Sequence, residues 1–161
     1  ALHATEDPQA VRDAVFGVLG GHDFHVDVTL LEKAKSLPRL RTDDPTFYQY
    51  AWWFHFKFLA ERYIREGDEL MVIAASLGSK KMKAQFKAAV NSVVTQCTDY
   101  RVPRQVTFWP VESQPCLQVA DYAVWAVTRA WEKPDGRARD QLGKRVRSEY
   151  DYFRFGTKRY Y

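Results

Sequence analysis

A chain of 161 residues, 46% hydrophobic and 15% aromatic, has enough apolar side chain to bury a core, which excludes a disordered or fibrous polymer. Its formal charge of +4 at pH 7 permits an anionic partner without demanding one. Two cysteines are too few for a disulfide framework or a zinc site of the usual spacing, and no apolar run approaches the roughly 20 residues of a membrane span, so a cytoplasmic, reducing setting without a membrane partner is expected.

Asp7 and Pro8 open a short helix, DPQAVRDAVFGVLG, with Val11, Val15, Val18 and Leu19 on its packing side and Gly20 and Gly21 as its stop. Residues 24–31, FHVDVTLL, are rich in β-branched side chains and turn continuously apolar, as a strand covered on both faces would, with Glu32 at its carboxyl end. The segment KAKSLPRLRTDD has no clear period and reads as a basic loop. Lys33 and Lys35 there are either a solvated surface or contacts to a phosphate backbone. Asp44 and Pro45 then start a long helix crowded with aromatic rings, predicted to be a core helix or a dimer face, with His55 packed inside.

Residues 69–77, ELMVIAASL, read as a central parallel strand, and residues 79–96 as an amphipathic helix. Met82, Phe86, Ala89, Val90 and Val93 fall on the inner side of that helix, and Lys80, Lys81, Lys83 and Lys87 on the outer side. RQVTFWPV is a further strand, broken by Pro110. Residues 113–132, SQPCLQVADYAVWAVTRAWE, form a buried helix that Ser113 would cap, with Pro115 in its first turn. Asp121 interrupts its apolar circumference, either as a structural hydrogen-bond acceptor or as a metal ligand or general base. The basic tail closes on SEYDYFRFG, a short helix or a last strand. Alternating helices and strands predict an α/β class with a mainly parallel central sheet flanked by helices, in a single domain spanning residues 1–161.

The sequence lacks GxGxxG, GxxxxGK[ST], GxSxG, HExxH and paired CxxC motifs, which removes the commonest nucleotide, hydrolase and zinc chemistries. LGSKK, with Lys80 and Lys81, joins a strand to a helix start and could hold an anion, though the upstream glycine of a phosphate loop is missing. His3, His22, His25 and His55 show no ligand spacing. The remaining candidates are acidic: Glu32, Glu112, Asp121, Glu149 and Asp151. Carboxylates at strand ends and on a neighbouring helix are what a magnesium or manganese ion takes as ligands, and two such ions ~4 Å apart can cleave a phosphodiester.

The segments HATEDPQAVRDAVF, VTLLEKAK, DELMVIAASLGSKK, LQVADYAVWAVTRAWE and SEYDYF together resemble the domain-of-unknown-function family numbered 3800, a large group of bacterial and phage proteins. LQVADY followed by WAVTRAWE carries most of the likeness, which extends over nearly the whole chain. The resemblance implies a ribonuclease H-like fold and metal-dependent nuclease chemistry, with Asp121 as the acid of the last core helix and Glu32 at the strand end. It also implies a preceding strand with an Asp-Glu-Ser-Gly motif, which would lie before Ala1, and an acid where Ala74, Ala75 and Ser76 stand. Without that first strand, a homodimer contact or a partner strand is expected to cover the exposed sheet.

Two functions follow as expectations. One is a divalent-metal-dependent nuclease or a degenerate relative, with Asp121 and Glu32 as catalytic metal ligands, Glu112 as a third, magnesium or manganese as cofactor, and Lys33, Lys35, Lys80 and Lys81 on the nucleic acid. The alternative is a non-catalytic module that binds nucleic acid or protein, with Asp121 as a structural acceptor.

Overall fold

A computed structural model describes residues 2–76 and 78–154. The chain is α/β and divides into two compact units, Ala1–Val28 with Pro110–Tyr150 and Thr29–Trp109 with Asp151–Tyr161. The element order is α1 (Gln9–Leu19), β1 (Val26–Leu30), α2 (Pro38–Arg41), α3 (Asp44–Tyr63), β2 (Leu70–Ala75), α4 (Lys80–Cys97), β3 (Arg104–Trp109), α5 (Pro115–Glu132), α6 (Arg137–Leu142) and β4 (Val146–Asp151). No helix among the described residues is long and apolar enough to cross a membrane.

The first unit is built on α1, α5 and α6. Phe16 and Leu19 of α1, Tyr122, Ala123 and Ala126 of α5 and Leu142 of α6 form one buried cluster with Ala4. Phe16 meets Tyr122 edge to face at 5.7 Å between ring centroids, an arrangement that adds attraction to the burial. The phase of α1 agrees with the sequence reading in part: Leu19 is buried and Val15 packs against the cluster, but Phe16 also faces inward and Val18 is 63% exposed. Helix α5 is likewise amphipathic rather than buried all round. Leu117, Tyr122, Ala123, Ala126 and Val127 are buried, while Val124 and Trp131 are both 52% exposed. Its N-cap is Gln114, whose side chain accepts from the Cys116 N–H; Ser113 instead donates to the Pro110 carbonyl at 2.8 Å.

In the second unit, α3 and α4 pack together and cover the β2–β3 pair. Phe56, Ala60, Val72, Ala74, Val90, Val93 and Val94 make its core, with Tyr48, Trp52 and Trp53 closing over it. The aromatic helix thus gives one face to this core through Phe56 and Ala60, while Tyr50 and Tyr63 are exposed. His55 is half-buried, its Nδ1 3.0 Å from Thr29 Oγ1. Strands β2 and β3 run parallel in register from Leu70 opposite Arg104 to Ala75 opposite Trp109, and α4 makes the crossover. Val72 and Ala74 point to the core while Met71 is 62% exposed, so β2 has one buried face rather than two.

Strand β1 pairs with β4, and the Ser148 hydroxyl bonds the Asp27 carboxylate across them. Among the described residues the strands thus form two two-stranded sheets, where the sequence predicted one central sheet. The basic loop after β1 is also more ordered than its lack of period suggests, holding a 3₁₀ turn at Lys33–Lys35 and the single-turn α2. Leu77, the predicted end of one strand, and Phe155 and Gly156 of the closing segment lie outside the described residues.

Candidate functional site

Asp121 occupies the solvent-facing shoulder of α5, its side chain 29% exposed, beside the fully buried Tyr122. Its Oδ2 accepts the backbone N–H of Ala4 at 2.9 Å and stands 3.6 Å from His3 Nδ1. Ala4 is itself fully buried, and its carbonyl accepts from Arg12 Nε at 2.8 Å. Next along the same network, Asp7 accepts the His3 N–H at 2.8 Å and the Tyr122 hydroxyl. That phenol hydrogen bond is the main cause holding Asp7 below the usual carboxylate range. Burial, with Asp7 as hydrogen-bond partner and neighbouring charge, pushes the Tyr122 hydroxyl well above its ordinary value. The two carboxylates together fasten the turn at residues 3–7 onto α5, and Arg12 fastens it onto α1.

Glu32 belongs to the second unit and pairs with Lys35, Nζ to Oε2 at 2.8 Å. Glu112 is exposed in the 3₁₀ turn Val111–Ser113, ahead of α5. Glu149 accepts from Trp131 Nε1 at 3.0 Å and from Arg139, and Asp151 accepts the Phe153 N–H at 3.0 Å. Among the described residues no three His, Cys, Asp or Glu side chains gather into a group able to hold a metal ion. A divalent cation bound through Asp121 Oδ2 would compete with the buried Ala4 N–H for that oxygen.

The predicted phosphate-contacting lysines divide into two kinds. Lys33 is held by Asp44 at 2.9 Å and lies over the Phe47 ring, and Lys35 is held by Glu32. Lys80 and Lys81 are exposed and make no ion pair among the described residues. They stand in the first turn of α4, where Gly78, with φ of +75°, turns the chain into the helix. Only glycine adopts that conformation without strain. Ser79 makes no side-chain cap, and the first turn carries no acid to complement its N–H groups. Lys83 is also exposed, so three lysines stand at the positive end of a helix dipole. The arrangement is unfavourable by itself, and an anion at the helix start would relieve it.

A basic cluster that the sequence reading passed over lies in the first unit, where His22 and His25 share a cleft with Lys144 and Arg147. The only signal for it in the sequence was the overall basicity of the tail. Comparison with known protein families, characterised proteins and solved structures finds no match to the chain.

Proposed function

We propose that the chain is a non-catalytic nucleic-acid-binding module that grips the phosphate backbone through the start of α4. The observation that carries this reading is the uncapped, acid-free first turn of α4 with Lys80, Lys81 and Lys83 exposed. Three cations beside orphan N–H groups suit the oxygens of a phosphate backbone, so binding is expected to be general rather than base-specific. Asp121 supports the same reading, since its Oδ2 holds the Ala4 turn in the manner of a structural acceptor.

The metal-dependent nuclease is the second reading, with Asp121, Glu32 and Glu112 around magnesium or manganese. The β2–α4–β3 parallel crossover is on its side, being compatible with the ribonuclease H-like fold that the sequence resemblance implies. One experiment separates the two: fluorescence anisotropy with labelled single-stranded, duplex and hybrid substrates, followed by incubation with manganese. Binding without cleavage, weakened by the triple change Lys80→Glu, Lys81→Glu, Lys83→Glu, is the expected result. Manganese-dependent cleavage that disappears in Asp121→Asn would overturn it in favour of the nuclease.

A further inference from the structure

Helix α1 ends at Leu19 with no basic residue in its last turn to offset the partial negative charge of its carbonyls. The missing cation comes from far along the chain. Gly143, with φ of +53°, stops α6, and the 3₁₀ turn Gly143–Arg145 leads directly into β4. This places Arg145 so that its Nε donates to the His22 carbonyl at 2.9 Å and its Nη2 to the Gly20 carbonyl. The guanidinium carbon lies over the Phe24 ring, 5.6 Å from its centroid. Two of its five N–H donors are used in this way, leaving three for another acceptor.

Those residues form one wall of an open cleft of about 550 Å³. Lys144 and Arg147 enter it from the same short segment, and His22 and His25 from the segment after α1. Asp23 is the single carboxylate in the lining, against three permanent cations. Lys144 and Arg147 are exposed and make no ion pair among the described residues, and Gly20 and Gly21 put no side chain in the way. Cations gathered around a concave surface repel one another unless an anion sits between them. A guanidinium fork already fixed by two carbonyls, next to a lysine and a second arginine, matches the oxygens of a phosphate.

We propose that this cleft is a phosphate-binding site that takes a phosphomonoester, either the phosphorylated end of a nucleic acid or a small phosphate compound. The site does not depend on the α4 reading, because the two sets of cations belong to different units of the chain. The test uses short single-stranded oligonucleotides that are identical except for a 5′- or 3′-terminal phosphate, together with inorganic phosphate alone. Affinities come from anisotropy, and amide shifts of Gly20 and Gly21 come from NMR. A terminal phosphate is expected to tighten binding about tenfold, a gain lost in Lys144→Glu/Arg147→Glu. The α4 triple variant is expected to weaken both oligonucleotides yet keep the preference. Inorganic phosphate that shifts both glycine amides and removes the preference, with the double variant blind to it, supports the site and identifies a small phosphate as sufficient. Equal affinity for phosphorylated and hydroxyl ends without a glycine shift, or a preference that survives the double variant, overturns the proposal. An α4 variant with unchanged salt dependence would instead count against the general backbone contact alone.

Discussion

Removing the Asp121 carboxylate leaves the buried Ala4 N–H without an acceptor, so Asp121→Ala is expected to destabilise the protein by about 1–3 kcal/mol in a denaturant titration. Asp121→Asn keeps an oxygen in place and is expected to cost much less. Asp7 gives a pH signature. Its folded pKa lies below 3.8, chiefly because of the Tyr122 hydroxyl, so the stability it contributes is present above about pH 3.8 and lost as pH falls through the folded value. Tyr122 is raised above 10.0, so its contribution is present below pH 10.0 and is lost as pH rises beyond it. Thermal melts between pH 2 and 7 are expected to show a shallower acid limb in Tyr122→Phe than in the unmodified chain. An oddly placed acid was visible in the sequence, but its partner was not. Ala4 is 117 positions away and contributes a backbone N–H, a group that every residue except proline has.

At the level of the elements, composition and period located helices and strands well and oriented them less well. The α4 stripe was legible: Phe86, Ala89, Val90 and Val93 are buried as their spacing requires. The same rule oriented α1 and α5 only in part: Leu19, Leu117 and Val127 are buried but Val18 and Val124 are exposed, because a valine at helical spacing carries no mark of which apolar arc meets the core. Helix α5 has more apolar residues than its partners can cover, so Val124 and Trp131 face outward while Tyr122 goes inside with a hydrogen bond. Truncation at two positions tests this phase. Leu117→Ala, at 8% exposed, is expected to cost about 2–5 kcal/mol, whereas Val124→Ala is expected to stay within about 0.5 kcal/mol. Equal losses in chemical denaturation would mean that α5 packs on a different face.

For the whole molecule, the charge of +4 is less informative than where the cations stand. Lys33 and Lys35 are neutralised locally by Asp44 and Glu32, and Arg129 and Arg137 by Asp135, which they hold well below the normal carboxylate range. The cations that remain without ion pairs include Lys80, Lys81 and Lys83 on α4 and Lys144 and Arg147 in the cleft. Nucleic-acid affinity is therefore expected to fall steeply with salt. Reversing the three α4 lysines should reduce the slope of log K against log salt by about two to three units, measured by anisotropy over a salt series.

The sequence by itself determined the α/β class, the long aromatic helix, the amphipathic α4 and the lysines at its start, because each is written in local period and composition. Only the tertiary structure decided that the strands pair two by two, that Asp121 and Asp7 secure the first turn, and that Arg145 reaches the end of α1. Strand partners and hydrogen bonds between residues more than a hundred positions apart depend on which surfaces meet, and no local pattern encodes that meeting.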